Sequence, residues 1–297
     1  MAKKIKICHV IGSFVNGGVE AVILNYFSHM DLNEYEVHII GHGILVQECA
    51  DKFANMGFII HNVTPKSVSV LKNLKEIEEK ITKAAEISGR KREDVLLLAV
   101  SKTVDVPRIK EAVNLGLVDL GENKPQEINW KYDEIENVRW HQIGHLQTNK
   151  VKYIIDKVCL IHSLDSVKLC EEIQKRAEAK EITMDVLVEI NIAGEEAKHG
   201  VPPEKAEELV LEASKFKNIR VKGLMTVAPF VENPEENRKY FKEMHKLFID
   251  IKDKNYDNVD MEYLSMGMTN DYEIAIQEGA NIVRIGTGLF GARNYAV

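Results

Sequence analysis

From Leu71 onward the chain carries eight short strand candidates, and the segments between most of them have helical spacing. The candidates are Val95–Ser101, Leu117–Gly121, Arg139–Ile143, Leu160–Ser163, Met184–Asn191, Val221–Met225, Met261–Ser265 and Ile282–Ile285. Val95–Val100 is apolar without interruption, the pattern of a parallel strand buried on both faces. Helices fit at Val106–Leu115, Pro125–Lys131, Thr148–Ile155, Ser166–Lys180, Pro203–Ser214, Pro234–Lys252 and Asp271–Gln277, and one more at Leu74–Ala85 precedes the first run. Eight strands with crossover helices in about 225 residues match the size and rhythm of a (β/α)8 TIM barrel. A doubly wound open sheet is the rival. The count of eight, and the lack of a glycine-rich dinucleotide loop after Val95–Val100, favour the barrel.

Residues 1–70 have a separate rhythm. Ile5–Ile11, Tyr35–Ile40 and Phe58–Val63 read as strands, with helices at Val19–Met30 and Val46–Met56. The order is β-α-β-α-β, a small Rossmann-like α/β unit. Its loop Gly12–Gly18, GSFVNGG, does not fit the dinucleotide pattern GxGxxG. Pro65–Val70 reads as a linker. The expected division is therefore 1–70, a partial α/β extension, and 71–297, the barrel.

Composition excludes several classes. Hydrophobic residues make up 45% and charged residues 29%, ordinary values for a water-soluble protein. The formal charge of -7 argues against broad nucleic-acid binding. The basic start MAKKIK is followed by an apolar run that Asn16, Gly17, Gly18 and Glu20 break, so no signal peptide is expected. No run approaches the roughly 20 apolar residues of a membrane span. Cys8, Cys49, Cys159 and Cys170 lack metal-site spacing and are too sparse for a disulfide scaffold. Reduced thiols in a cytoplasmic protein are expected, with Cys8 and Cys159 on buried strands.

In a barrel, function gathers where strands end. Lys102 directly follows the apolar first strand. It reads either as a surface loop lysine or as an amine at the barrel mouth that can form a Schiff base. Ser265-Met266-Gly267 and Gly286-Thr287-Gly288 follow the seventh and eighth strands, where glycines and hydroxyls suit a phosphate. Arg284 alternates with Val283 and Ile285, so it points inward. A structural ion pair and a cofactor contact are both open to it. His141, His145 and His162 straddle strand ends with Gly144 between the first two. Hydrogen bonding in a polar mouth fits them better than zinc, and no metal is expected.

Several segments together carry a resemblance: LLAVSKT, GENKPQE, RWHQIGHLQTNK, LIHSLDS, VLVEINIAGEEAKHG, GLMTV, LSMGMTNDYEIAI and IVRIGTGLFGAR. In this order, from about Leu71 to Tyr295, they resemble the YggS/PROSC family of pyridoxal 5'-phosphate (PLP) homeostasis proteins. The resemblance implies the barrel of the alanine racemase amino-terminal domain, with PLP held as an internal aldimine on Lys102. It places Ser265, Gly267, Gly286 and Thr287 around the phosphate, Arg284 at the pyridine nitrogen, and Asn123 and Met225 near the ring. A cation at that nitrogen disfavours its protonation and weakens the ring as an electron sink. The segment AKHG, which contains His199, is similar to the family's SKHG, with Ala197 where the family usually has serine.

The resemblance implies a carrier and buffer of PLP in vitamin B6 and amino-acid homeostasis, with no catalytic residues. The family lacks the second domain and the opposing tyrosine of alanine racemase, and Val297 follows closely on the eighth strand. A racemase needs a base on each face of the substrate carbon, and only Lys102 offers itself. The competing readings are a racemase-like PLP enzyme and a scaffold that works through its amino-terminal unit. PLP-requiring apoenzymes are the implied partners.

The extension departs from that family. KICHVIGSFVNGGVEAVILNYF resembles the start of a retaining GT-B glycosyltransferase. The likeness covers only the first part of such an enzyme, without its nucleotide-sugar domain, so glycosyl transfer is not expected. The edge of a three-stranded sheet invites pairing. The barrel is expected to be monomeric, and the extension to promote self-association.

Overall fold

A computed structural model describes residues 4–11, 18–41, 47–62, 70–195 and 197–291. The chain divides into two compact units, Met1–Ser69 and Val70–Val297. The glycine-rich turn expected at Gly12–Gly18 and the linker expected at Pro65–Val70 fall almost wholly outside the described residues.

The first unit runs β1 (Ile5–Ile11), α1 (Gly18–Phe27), β2 (Tyr35–Gly41), α2 (Gln47–Asn55) and β3 (Ile59–Asn62). The strands form one parallel sheet with β2 in the middle. Val37 and Ile39 of β2 pack with Ile23 and Phe27 of α1 and with Cys49 and Phe53 of α2. Both helices thus cover one face, as successive parallel crossovers of one hand require. The other face is polar. Glu36 accepts from Lys6 at 2.7 Å and from His38 at 2.8 Å, and His38 meets His61 at 2.7 Å. Cys8 pairs with His38 in register and shares this face. It is therefore exposed rather than buried, against the sequence-based expectation.

The second unit opens with α3 (Val70–Ile87), which buries Val70, Leu74, Ile77, Ile81, Ala84 and Ala85 along one stripe. Strands and helices then alternate: β4 (Leu96–Val100), α4 (Val106–Asn114), β5 (Asp119–Glu122), α5 (Pro125–Tyr132) and β6 (Arg139–Gln142). They continue as β7 (Val158–Leu164), α6 (Val167–Ala179), β8 (Met184–Ile190), α7 (Ala206–Ser214) and β9 (Ile219–Thr226). The last are α8 (Arg238–Lys252), β10 (Val259–Met268), α9 (Tyr272–Gln277), β11 (Ile282–Ile285) and α10 (Thr287–Phe290). The eight strands from β4 to β11 close into a parallel barrel in chain order.

Local sequence explains the starts. Asp105 caps α4 by accepting from the Arg108 N–H, and Ser166 caps α6 by accepting from the Leu169 N–H. One expected helix is absent. Thr148–Tyr153 forms a 3-10 helix instead of an α-helix to Ile155. Gln147 gives no side-chain cap, Thr148 and Asn149 are weak helix formers, and Val151, Ile154 and Ile155 are drawn into the core.

Strand alternation fills both sides of the wall. Leu97 and Ala99 face the helices, whereas Leu98 joins Leu160, Leu187, Met225 and Ile282 inside the barrel. Cys159 lies on β7, whose other residues are buried as expected, but it is the extra residue at a register shift against β6 and is itself exposed. Loss of solvation, reinforced by Asp119, still pushes its thiol up to about 12. Among the described residues no helix is long and apolar enough to cross a membrane.

Closure depends on one glycine. Gly223 of β9 sits opposite Tyr263 with φ of +146°, and an added Cβ would lie 1.8 Å from the Tyr263 carbonyl oxygen. Gly223→Ala is expected to destabilise the barrel by roughly 3 kcal/mol, combining overpacking with backbone strain. A urea unfolding midpoint equal to that of the parent would contradict this account of the β9–β10 seam.

Candidate functional site

The carboxyl ends of the strands surround a cleft of about 530 Å3. Lys102, Asn123, Arg284, Gly286 and Thr287 all line it, five of the eight residues singled out in the sequence. Thr269, Asn270 and Phe230 line it too, and the sequence reading passed over them. Thr269 could have been found, because its hydroxyl follows β10 directly. Phe230, 87% exposed on the β9–α8 loop, left no comparable signal.

Lys102 is half-buried just past β4, and the backbone on both sides of it is tied down. The Lys131 ammonium, fully buried on α5, donates to the Ser101 carbonyl at 2.8 Å, to Glu122 at 2.8 Å and to Glu127 at 3.1 Å. The Ser101 hydroxyl donates to the same Glu122 oxygen at 2.7 Å. On the other side, the Thr103 N–H donates to Glu127 at 2.9 Å. Thr103 has φ of 62°, a left-handed conformation that a β-branched residue adopts only when held there. Burial pushes the Glu122 carboxyl up to about 7 even though Lys131 and Ser101 pull it down.

Arg284 is the second fixed cation. It is buried, and it donates to the Ser265 hydroxyl at 2.6 Å and to the Thr226 carbonyl at 2.7 Å. Burial lowers its guanidinium only to about 10, so it stays charged at neutral pH. Ser265 meets His162 Nδ1 at 3.1 Å, His162 Nε2 meets His141 Nδ1 at 3.0 Å, and His141 Nε2 meets Asp119 at 3.0 Å. This chain crosses the barrel interior from the mouth to the opposite end.

Its two ends have fixed roles. A guanidinium can only donate, and a carboxylate can only accept. Burial raises the Asp119 carboxyl, but hydrogen bonds from His141 and Arg139 outweigh it and hold the group below its usual range. Burial, with His141 and Arg284 nearby, pushes His162 far below the usual imidazole range, so its ring is neutral. Arg284 therefore donates into one end of the chain and Asp119 accepts at the other, and the tautomers of the two imidazoles set which ring nitrogens donate between them. The Ser265 hydroxyl is committed within this chain, beneath the cleft.

Of the three predicted residues that do not line the cleft, Ser265 lies in this hydrogen-bonded chain, and the other two are Met225 and Gly267. Met225 is fully buried in the barrel interior, against Ile143 and Val227 of the cleft wall. Gly267 has φ of +90°, and an added Cβ would meet Ala275 at 2.6 Å, so it lets the β10 loop close onto α9. Gly286 lies beside Val100. Above it, the Thr287 and Thr269 hydroxyls meet at 3.3 Å, and the Gly288 N–H donates to Thr269 at 3.2 Å.

Glu189 of β8 is a further buried carboxyl near Arg284, and its Oε2 has no hydrogen-bond partner among the described residues. Burial first, and Asp165 second, push it up to about 7, against a smaller opposing pull from Arg284.

Comparison with known proteins matches residues 73–294 to the family described as alanine racemase, N-terminal domain. A pyridoxal phosphate homeostasis protein of Aquifex aeolicus is 48% identical over 230 residues, 77% of this chain and 100% of that protein. One from Pseudomonas aeruginosa is 35% identical over 229 residues, 76% of this chain and 97% of that protein. Among solved structures, PipY of Synechococcus elongatus with PLP bound is 25% identical, with a TM-score of 0.65 over 75% of this chain and 100% of that one. An alanine racemase from Clostridium difficile, at 17% identity, shares the fold with a TM-score of 0.59 over 77% of this chain and 60% of its own.

The Glu189 carboxyl gives a pH signature. Its ordinary value is 4.5 and its folded value about 7, so the folded state holds a proton that the unfolded chain has released in between. Its contribution to stability is therefore greatest below pH 4.5, falls as pH rises towards about 7, and is flat above. Glu189→Gln removes that loss. Its stability relative to the parent is expected to rise by on the order of 3 kcal/mol from about pH 5 to about pH 8. Urea titrations at the two pH values decide it; a constant difference would mean that Glu189 does not titrate in this way.

Proposed function

The chain belongs to the family of pyridoxal phosphate homeostasis proteins, and from that premise we propose that it binds PLP through Lys102 and holds it as a non-catalytic carrier and buffer. One observation carries the reading. The cleft is lined by an amine, a guanidinium and two hydroxyls, from Lys102, Arg284, Thr269 and Thr287, and by no carboxylate among the described residues. Such a lining fits an aldehyde that bears a phosphate. PLP, when bound, supplies an aldehyde that condenses with a primary amine.

The roles of the chain's own groups follow. Lys102 supplies the amine, and the clamp on Ser101 and Thr103 fixes where it emerges. Thr269 and Thr287 offer hydroxyls to the phosphate beside Gly286, where backbone can approach closely. Asn123 lies across the cleft from them, and Met225 and Gly267 support its floor and rim from below. Arg284 stays cationic and, facing the ring nitrogen, disfavours protonation there. Ser265 orients Arg284.

The carrier role, as against turnover, rests on acid–base chemistry. Among the described residues that line the cleft, none is His, Tyr, Cys, Asp or Glu, the side chains that most often serve as a second proton-transfer group. In this reading the protein serves PLP-requiring apoenzymes in the cytoplasm, and the barrel acts as a monomer.

Borohydride reduction after incubation with PLP is expected to fix one phosphopyridoxyl group on the Lys102 peptide, and Lys102→Ala is expected to lose it. Amino-acid racemisation is expected to stay at the rate given by free PLP. Label spread over many lysines would overturn the anchor; enzyme-level racemisation would overturn the carrier role.

A further inference from the structure

A second cluster of side chains sits on the rim, apart from the residues that line the cleft. His145 follows β6, Asp165 follows β7, and His199 lies in the loop after β8. One donor atom from each lies within 4.8 Å of the other two. His145 Nδ1 meets Asp165 Oδ2 at 3.1 Å, and the two imidazoles stack with centroids 3.8 Å apart. Three different loops therefore bring two imidazoles and a carboxylate to one point.

We propose that His145, Asp165 and His199 form a binding site for a divalent transition ion of the zinc type. Donors around such an ion sit about 2.0–2.2 Å from it. In a tetrahedral arrangement they are then roughly 3.4 Å from one another. The His145–Asp165 distance of 3.1 Å is close to that spacing, and the His199 ring, stacked nearly parallel on His145, turns out of the stack to direct its in-plane lone pair at the same point. Two imidazoles with one carboxylate select zinc, nickel or cobalt over magnesium or calcium, which prefer all-oxygen sites. With three protein donors on an exposed rim, water completes the coordination.

The surroundings are built to hold these donors. The Ser166 hydroxyl donates to Asp165 Oδ1 at 3.1 Å, which leaves Oδ2 to face the imidazoles. Such an outer partner orients a ligating carboxylate. His199 precedes Gly200, whose φ of +101° lets the loop lie against the Glu189 carbonyl. Val201 then donates to that carbonyl at 2.9 Å and accepts from Asn191 at 2.9 Å, which pins the loop to β8.

The test uses the full chain after chelator treatment, titrated with zinc chloride alone by calorimetry. One equivalent is expected to bind, and a large excess of magnesium chloride is expected not to compete. His199→Ala and Asp165→Asn should each weaken binding by at least about tenfold, the loss that even outer partners of a metal cause. Circular dichroism checks that both variants fold. Cobalt substituted into the parent should give ligand-field bands without thiolate charge transfer, a readout that needs no variant. Failure of the parent to take up zinc would overturn the proposal. So would equal affinity in both variants, or a thiolate band, which would assign the metal to Cys8 or Cys159. The inference does not depend on PLP: Lys102→Ala should bind zinc as the parent does.

Discussion

A lysine ammonium with no exposure to water must be matched completely, and Lys131 is matched by a carbonyl and two carboxylates. That requirement organises the barrel mouth around Lys102. The two carboxylates come from β5 and α5, and the carbonyl from the end of β4, so one cation fastens two strands and a helix together. Removing one partner of a buried pair strands the other, at a cost of roughly 3–5 kcal/mol. The same contacts hold Thr103 in a left-handed backbone conformation and fix the direction in which the Lys102 side chain leaves the wall. Stability and site geometry thus rest on the same bonds.

The second organising element runs along the barrel axis. A packed interior of Leu98, Leu160, Leu187, Met225 and Ile282 excludes water, so any polar group within it must find protein partners. His141, His162, Ser265 and Arg284 solve this in series rather than in isolated pairs. Arg284 can therefore be both buried and charged. Its role at the cleft follows from a chain that ends at Asp119, at the far side of the barrel.

Much of this was legible in the sequence. The apolar run before Lys102 and the alternation around Arg284 placed both cations at the mouth, because strand periodicity is a local property. The glycine-rich loops after β10 and β11 were legible for the same reason. Lys131 was not. In PQEINWKY it reads as a surface lysine paired with Glu127 four residues earlier, and only closure of β4 against β5 brings Ser101 and Glu122 to it. Ser265 was assigned to a phosphate loop, but its hydroxyl is engaged below the cleft, a matter of cross-barrel neighbours that no local pattern encodes. Cys8 was misplaced because a strand's two faces look alike until one knows which is covered, and Cys159 is exposed on a buried strand because a register shift falls at it. The helix expected to Ile155 gave way to a 3-10 turn because core burial of Ile154 and Ile155 outweighed a weak local preference.

The unbroken pairing of the axial chain has an evolutionary corollary. Each interior member is hydrogen-bonded on both sides, so no single substitution leaves the rest satisfied. Replacing Ser265 with alanine orphans both a guanidinium N–H and an imidazole nitrogen; replacing His162 breaks the series in the middle. Viable change must then come as linked replacements, with apolar residues entering at several positions together. Asp119, His141, His162, Ser265 and Arg284, though scattered over five strands, should behave as a single inherited character.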